Sequence, residues 1–277
     1  AITVNGTGNK TINGGSGTDS LTISDGSGNA LVDYNIEWDV NTHTVSFIDG
    51  SNRIDFTSIE NLNVNGEDWI VFQDGVGYKS NGTAYNIPSG NNDHLNGFFS
   101  PTSNTIKLLE GGTNNGANEW GIYLTGWLDE FGYTPGNELT IYGSNADDYI
   151  RPQSNNEENV ININAGSGDD LVMIHDRVTK IDVVNAGAGD DTVIVGHDYA
   201  TDTLNGGAGT DTISFHDSTN SVPITFTLGT QTTNFENIIG SYHDDVLTGD
   251  GNANFIHGGT RAGLIESGND TIKGLGG

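Results

Sequence analysis

A short segment rich in glycine and aspartate recurs along this chain, and this repetition limits its fold more than any other feature. The pattern is an aliphatic residue, Asn, two small residues, a variable residue, Gly, a variable residue, Asp, a variable residue and an aliphatic residue. The copies cover residues 13–21, 143–150, 164–172, 185–193, 205–213 and 240–247, with a partial copy at 267–272. Such repetition indicates a solenoid in which each coil packs on the next.

The residue types in this repeat suit a hard cation. Glycine permits the positive φ angles of a tight turn, and the Asp carboxylate and turn carbonyls supply the oxygen ligands that Ca²⁺ prefers. One turn has too few oxygens, so a second turn stacked about 4.8 Å away would supply the rest. We therefore predict several Ca²⁺ ions. The candidate metal ligands are Asp19, Asp148, Gly166, Gly168, Asp170, Gly187, Gly189, Asp191, Gly207, Gly209, Asp211, Asp245 and Asp270.

The repeat resembles the RTX (repeats-in-toxin, hemolysin-type) calcium-binding nonapeptide, and the resemblance covers about 5–22 and 141–277. It implies a right-handed parallel β-roll that bacteria secrete and that folds when it meets extracellular calcium. The fold class is therefore all-β, a parallel β-roll or β-helix solenoid with a β-rich insertion. On this basis the chain divides into N-terminal RTX-like repeats (1–22), a Trp-rich β insertion domain (23–140) and an RTX β-roll (141–277), which carries its own insertion at 216–239.

The spacing of the repeats departs from the nine residues typical of that family. The Asp residues at 148, 170, 191 and 211 follow one another at steps of 22, 21 and 20 residues. Such long steps predict one Gly–Asp turn per coil and one calcium column along a single edge. We expect that column to continue to Asp245 after the insertion and to Asp270 after the extra residues 261–267.

A nine-residue interval does occur at two places. Lys10 stands nine residues before Asp19, so its ammonium group would take the place of the ion in that turn. Asn254 stands nine residues after Asp245, at the equivalent position of the next turn. The turn at Lys10 is therefore predicted to bind no calcium.

A second ladder pairs histidine with aspartate at His175-Asp176, His197-Asp198 and His216-Asp217. Stacked imidazoles would bind a borderline metal such as Zn²⁺ or Ni²⁺. The simpler interpretation is that each Asp forms an Asx turn and each His packs on its neighbour, and we favour it.

The charge of the chain supports a cation-dependent fold. With nine Lys and Arg against 37 Asp and Glu, the formal net charge is −28, which disfavours binding to nucleic acid or anionic lipid. No apolar run is long enough to span a bilayer, and the absence of Cys excludes disulfides and thiolate sites. Because stacked carboxylates repel one another, we expect a chelator largely to unfold 141–277.

The middle of the chain lacks the repeat and holds all four Trp. Alternating apolar residues over 36–56 predict a β-meander. Two similar segments, Ile59-Glu60-Asn61-Leu62 and Phe235-Glu236-Asn237-Ile238, each follow a strand-rich stretch, and we interpret each as the return of the chain to the solenoid. Apolar spacing over 117–131 favours one short helix, with Trp120 and Trp127 on one face. That face would cover the solenoid interior or, alternatively, bind a ligand or partner.

No catalytic motif is present, and we predict a protein without enzymatic activity. Asp93-His94 is an isolated acid–His pair that a loop explains. The leading function is a secreted, calcium-dependent structural or adhesive protein of a bacterial cell surface or matrix. Its expected partners are further copies of itself, polymerised end to end, or neighbouring domains of a longer chain. One alternative is a module on an RTX roll that binds a surface glycan, and another is the calcium-folded tail of an exported polysaccharide enzyme.

Overall fold

The computed structural model describes residues 1–5, 8–24, 26, 28–39, 42–49, 52–72, 76–78, 84–86, 97–109, 137–152, 160–174, 182–196, 199–216, 222–230, 232–259 and 268–275. Two compact units result, one formed by 1–110 and 126–134 and the other by 111–125 and 135–277. The described regular structure is β, apart from 3-10 helices at Leu31–Asp33 and Tyr199–Thr201. This confirms the all-β class. The helix predicted over 117–131, with Trp120 and Trp127, lies outside the described residues.

The first unit combines parallel coils with antiparallel hairpins. Its described strands are β1 (Ile2–Asn5), β2 (Lys10–Asn13), β3 (Ser20–Ser24), β4 (Asn35–Asp39), β5 (Thr44–Asp49), β6 (Asn52–Thr57), β7 (Asn61–Val64), β8 (Glu67–Phe72), β9 (Val76–Tyr78), β10 (Ala84–Asn86), β11 (Gly97–Ser100) and β12 (Thr105–Leu108). Parallel pairing joins β1, β3 and β7, and also β2 and β6. Antiparallel pairing joins β4, β5 and β6, which confirms the predicted β-meander. Antiparallel pairing also joins β7, β8, β11 and β12, and it joins β9 and β10.

The core of the first unit forms because alternate residues of these strands point inward. Phe47 is at its centre, with ring centroids 5.4 Å from Tyr34, 5.3 Å from Phe56 and 5.8 Å from Phe98. Leu21 and Leu62, from the parallel strands, are buried in the same cluster. Each fully buried side chain of this size contributes about 1.5–3 kcal/mol to the free energy of folding. The meander and the parallel coils therefore share one core.

The second unit is a parallel β-solenoid. Its strands are β13 (Leu139–Tyr142), β14 (Tyr149–Ile150), β15 (Ile161–Ser167), β16 (Leu171–Met173), β17 (Val183–Ala188), β18 (Thr192–Ile194), β19 (Thr203–Ala208), β20 (Thr212–Ser214), β21 (Thr225–Thr227), β22 (Thr232–Thr233), β23 (Asn237–Ile239), β24 (Val246–Thr248), β25 (Phe255–His257) and β26 (Thr271–Lys273). Sheet I has the order β13-β15-β17-β19-β22, sheet II the order β14-β16-β18-β20-β23-β25, and sheet III the order β21-β24-β26.

Each long coil of this unit runs from a strand of sheet I through a Gly–Asp turn into a strand of sheet II. Gly166 is in register with Gly187, and Gly187 with Gly207, so the turns lie directly above one another. The aliphatic residue two positions after each turn Asp points inward, and Val172 and Val193 are fully buried there. The predicted solenoid with one such turn per long coil is therefore confirmed.

The coil path changes after residue 216. From β23 onward the chain alternates between sheets II and III, in the order β23, β24, β25 and β26. These alternate strands begin at 237, 246 and 255, which is the nine-residue spacing of a β-roll. The second unit thus contains long coils followed by short ones. None of the helices in the described residues is long and apolar enough to cross a membrane.

Candidate metal centre

The turn carboxylates of the long coils form a column. The backbone N–H of Asp148 donates to Asp170 Oδ1 at 2.7 Å, that of Asp170 to Asp191 Oδ1 at 2.8 Å, and that of Asp191 to Asp211 Oδ1 at 2.9 Å. The carboxylates of Asp170, Asp191 and Asp211 therefore each link their own coil to the preceding one. The sequence steps of 22, 21 and 20 residues correctly predicted this alignment, because each step is one full coil.

The second carboxylate oxygen of three of these residues is buried and unsatisfied. Asp170, Asp191 and Asp211 are at most 2% exposed, and their Oδ2 atoms have no hydrogen-bond partner among the described residues. Burial raises the pKa of the Asp170 carboxyl to about 8 and that of Asp211 to about 6, and it also raises the pKa of Asp191. A buried, incompletely bonded carboxylate costs folding free energy unless a proton or cation compensates it.

The glycines of these turns bring carbonyl oxygens against the next turn. Gly187 has a φ of 123° and Gly189 a φ of 140°, values that favour glycine. A Cβ atom on Gly187 would overlap the Gly166 carbonyl oxygen, and one on Gly189 would overlap the Gly168 carbonyl oxygen. The carbonyl groups of one turn therefore face the backbone of the next, as close stacking of oxygen-rich turns requires.

These groups fit calcium better than a softer metal. Nowhere in the described ranges do three or more Asp, Glu or His side chains form a cluster that would hold a metal ion. An ion would therefore take carboxylate oxygens from the column together with turn carbonyls, which is the oxygen donor set of Ca²⁺. The residues placed to hold it are the turn Asp and Gly residues at 166–170, 187–191 and 207–211. Calcium bound there would supply the positive charge that the unsatisfied oxygens lack.

The prediction that this column continues to Asp245 and Asp270 is wrong. The next member after Asp211 is Glu236, whose Oε2 accepts the Asp211 N–H at 2.8 Å. Asn254 follows in register, because β25 pairs with β23. Asp245 and Asp270 instead form a second column, in which the N–H of Asp245 donates to Asp270 Oδ1 at 2.9 Å. The cause is the change to nine-residue repeats, two to a coil, which places successive turns at different edges.

The turns fall into two classes by the bonding of their carboxylates. In the open turns, at 164–170, 185–191 and 205–211, glycine follows the small residue and Asp Oδ2 has no hydrogen bond within the described part of the chain. In the closed turns, at 143–148, 240–245 and 249–254, the side chain of the last residue bonds its own turn.

Hydrogen bonds within each turn define the closed class. The N–H of Ser144 donates to Asp148 Oδ2, and that of Ser241 donates to Asp245 Oδ2, each at 2.6 Å. The Ser241 hydroxyl adds bonds of 2.9 and 3.1 Å to the two oxygens of Asp245. Asp245 therefore has both oxygens bonded within its turn and needs a cation less than the open-turn carboxylates do, whereas Asp148 Oδ1 is buried and has no hydrogen bond among the described residues.

The third closed turn bonds through an amide. The N–H of Asp250 donates to Asn254 Oδ1 at 2.9 Å, and Asn254 Nδ2 donates to Asp250 Oδ1 at 3.1 Å. A neutral amide thus takes the place of the turn carboxylate. The nine-residue interval from Asp245 correctly placed Asn254 at the equivalent position of this turn.

In the first unit, the candidate ligand Asp19 follows a glycine turn at 13–19. Its N–H donates to Glu60 Oε2 at 2.6 Å. Lys10 Nζ donates to the Gly8 carbonyl oxygen at 3.2 Å, so an ammonium group does contact a turn carbonyl there, as the sequence suggested. Sequence reasoning assigned Lys10 correctly as a departure from the repeat, but it did not identify Glu60 as a neighbour of Asp19.

Two further Asp ladders were missed from the sequence. On the outside of the turns, the N–H of Asp169 donates to Asp147 Oδ1 at 2.9 Å, and that of Asp190 to Asp169 Oδ1 at 2.8 Å. At the start of sheet I strands, the N–H of Asp182 donates to Asp202 Oδ1 at 3.0 Å, and burial raises the pKa of Asp182 to about 6. The two consecutive Asp residues in these turns are the sequence signal for the first ladder. The second has an Asp followed two residues later by an aliphatic residue, without glycines.

Only one member of the histidine ladder lies in the described residues. His216 Nε2 is 3.0 Å from the Tyr242 hydroxyl oxygen, and the two rings meet edge to face with centroids 4.7 Å apart. His175 and His197 lie outside the described residues, as do Asp93 and His94. The interpretation of the His ladder as a packing feature therefore stays a prediction.

Comparison with known families agrees with the geometry. The model of the RTX calcium-binding nonapeptide repeat matches four copies, over residues 179–197, 199–217 and 232–260. These ranges contain the turns of Asp191, Asp211 and Asp245. No curated protein and no solved structure matches the chain. The chain therefore carries RTX calcium-binding repeats, and these repeats build the coils of its parallel β-solenoid.

Proposed function

We propose that this chain is an exported structural or adhesive protein of a bacterial cell surface or extracellular matrix, and that calcium holds its solenoid together. Proteins with RTX repeats are typically exported, which supports an extracellular location. The observation that carries the proposal is the run of buried, unsatisfied oxygens on Asp170, Asp191 and Asp211. Calcium sites placed between successive coils stabilise an extended scaffold, whereas a catalytic metal needs an open coordination position. The proposed role is therefore without catalysis.

The last described coil supports self-association as the mode of assembly. Strands β25 and β26 are the outermost strands of sheets II and III. Phe255 on β25 is 60% exposed, and Ile272 on β26 is 48% exposed. Outer strands with unpaired N–H and C=O groups and exposed apolar side chains are surfaces on which another strand adds. A second copy, or a neighbouring domain of a longer chain, would cover this coil, and repeated head-to-tail addition would give a filament.

Electron microscopy of the purified protein with calcium and with excess EDTA tests this proposal. We expect filaments or end-to-end oligomers with calcium and their loss with EDTA, with sedimentation velocity as a second measure of size. The variant Phe255→Lys/Ile272→Lys should remain monomeric in calcium while keeping its circular dichroism spectrum. Val222→Lys is the matched control, because Val222 is 46% exposed but lies outside β25 and β26. A calcium-loaded protein that stays monomeric at all concentrations would contradict assembly through this coil.

A further inference from the structure

Two coils re-enter the solenoid through a turn that has no glycine loop. We call these the return turns, residues 58–62 in the first unit and 234–238 in the second. Each begins with a residue in the left-handed region, Ser58 with a φ of 53° and Asn234 with a φ of 55°. A buried apolar residue, then Glu and Asn, follow in both. The strand that comes next pairs in parallel with the preceding coil, β7 with β3 and β23 with β20, which confirms the interpretation of both as returns to the solenoid.

The second-unit return turn bonds to the open turn before it at three points. The Asp211 N–H donates to Glu236 Oε2 at 2.8 Å. In the opposite direction, the N–H groups of Glu236 and Asn237 both donate to the Asp211 carbonyl oxygen, at 3.0 and 2.9 Å. Glu236 thus accepts the N–H that the Asp of a further open turn would accept.

The first-unit return turn repeats this arrangement with different neighbours. The Asp19 N–H donates to Glu60 Oε2 at 2.6 Å, and the N–H groups of Glu60 and Asn61 donate to the Asp19 carbonyl oxygen at 3.2 and 3.1 Å. The same three bonds in two separate units indicate a defined structural element. A carboxylate at this position is therefore a feature of the return turn itself.

The return turn also brings a carbonyl oxygen to the glycine turn. A Cβ atom on Gly206 would overlap the Asn234 carbonyl oxygen and would lie 2.8 Å from Asp211 Oδ2. A Cβ atom on Gly14 would likewise overlap the Ser58 carbonyl oxygen. Asp211 is fully buried, and its Oδ2 has no hydrogen bond within the described ranges. A backbone carbonyl, a return-turn Glu and an unsatisfied Asp oxygen therefore meet at one glycine turn.

We propose that Glu236 completes a calcium site, whose other half is the glycine turn at 205–211. The inference rests on the calcium-bound solenoid of the proposed function, and it assigns to Glu236 the part that the next turn Asp has in an uninterrupted column. Asp211 and Glu236 together supply two negative charges, which match one Ca²⁺. An insertion can then interrupt the column without leaving its last glycine turn half-liganded.

Calcium titration of the full chain by isothermal calorimetry, with wild type and Glu236→Gln, tests this assignment. The amide keeps an oxygen to accept the Asp211 N–H but removes the charge, so it separates ligation from hydrogen bonding. We expect Glu236→Gln to bind about one calcium ion fewer, or to bind that ion about tenfold more weakly. Glu138→Gln is the matched control in the same unit, because the Glu138 carboxylate is exposed and contacts the Asn162 side-chain amide.

A double-mutant cycle keeps the test decisive if a variant is less stable. When Asp211 and Glu236 share one ion, Asp211→Asn and Glu236→Gln together should weaken calcium binding less than the sum of the single effects. Additive effects, or a Glu236→Gln isotherm equal to that of wild type while Glu236→Ala loses stability, would show that the glutamate is only a hydrogen-bond acceptor and would overturn the proposal. A wild-type chain that binds no calcium would overturn the proposed function itself, which is a separate outcome.

Discussion

Open and closed turns occupy similar places in the solenoid, but they differ in how the polar group at the end of the turn is hydrogen-bonded. In both classes a carboxylate or amide at the end of the turn stands beside the backbone of its own loop. The closed turns bond that group within the turn, at both oxygens of Asp245 and at Oδ2 of Asp148. The open turns leave the Oδ2 atoms of Asp170, Asp191 and Asp211 without a hydrogen bond among the described residues. One RTX solenoid thus contains turn carboxylates that are bonded within their own turn and turn carboxylates that are not.

The difference arises from one position in the sequence. Gly166 and Gly187 stand four residues before their turn Asp, whereas Ser144 and Ser241 stand at that position in the closed turns. With serine there, the backbone N–H bonds the turn carboxylate. With glycine there, the φ angle is 120° at Gly166 and 123° at Gly187. A residue that looks like a weak match to the repeat therefore gives a turn that closes by its own hydrogen bonds.

Removal of calcium is the change for which we expect the largest difference between open and closed turns. We expect EGTA to lower amide hydrogen-exchange protection in β15–β20 and to leave more protection in β23–β25. Two charges about 4 Å apart repel by about 1 kcal/mol in water and about 4 kcal/mol near a protein surface, so removal of the cation destabilises the stacked open column. Local loss is physically reasonable because each solenoid coil contacts only its neighbours.

The control for this experiment is EGTA with excess magnesium, which should leave protection lost, because Mg²⁺ gives up its water ligands reluctantly. Equal loss of protection in β15–β20 and β23–β25 would contradict the distinction between open and closed turns. Unchanged protection throughout, together with an unchanged circular dichroism spectrum, would contradict calcium-dependent folding of the unit.

The next largest expected effect is the change in thermal stability of the calcium-free protein with pH. A carboxyl whose folded pKa is raised binds its proton more tightly in the folded state. Its stabilising contribution is therefore present below the unfolded pKa of 3.8 and is lost as pH rises through the folded value. For Asp211 and Asp170 the folded values are about 6 and about 8. In EDTA, we expect the Tm to fall between pH 6 and pH 8.

Saturating calcium should reduce or reverse this slope, because the ion replaces the proton and binds best to the ionised carboxylates. The double variant Asp170→Asn/Asp211→Asn should flatten the slope in EDTA, since neither amide titrates. Thermal unfolding followed by circular dichroism at half-unit pH steps measures both effects. A Tm in EDTA that rises from pH 6 to pH 8 would contradict the burial of these carboxyls without a cation.

Single substitutions can compare the classes directly. Asp191→Asn keeps an oxygen for the Asp170 N–H but loses a ligand charge, so it should lower calcium-dependent stability by about 1.4–3 kcal/mol. Asp245→Asn is the matched variant in a closed turn. It should cost about 1–2 kcal/mol through weakened hydrogen bonds, and by similar amounts with and without calcium. Urea unfolding of both variants in calcium and in EDTA measures these values. An Asp191→Asn effect that is the same in both buffers would contradict a role for Asp191 in calcium binding.

The sequence predicted the column where coils follow one another without interruption. The glycines and the Asp recur together at 148, 170, 191 and 211. Residues at equivalent positions of successive repeats are therefore also neighbours in adjacent coils. It did not predict the column after 216, because Asp245 resembles the earlier turns while Glu236 does not. The resemblance of Glu60-Asn61 to Glu236-Asn237 was visible, and it correctly indicated a return of the chain. The bonding partner of each Glu depends on a turn far away in sequence, which the local pattern does not contain.

The smallest expected effect is that of the serine hydroxyl in a closed turn. Ser241→Ala removes the two bonds from Ser241 Oγ to Asp245 but keeps the bond from the Ser241 backbone N–H to Oδ2. It should lower the free energy of unfolding by about 1 kcal/mol, equally in calcium and in EDTA. Ser144→Ala provides the matched control, because the Ser144 hydroxyl bonds the Ala146 carbonyl rather than its turn carboxylate. If Ser241→Ala instead made stability depend more strongly on calcium, the Ser241 hydroxyl would be taking the place of the ion. The serine side chain, rather than the turn backbone, would then be the group that satisfies the turn carboxylate.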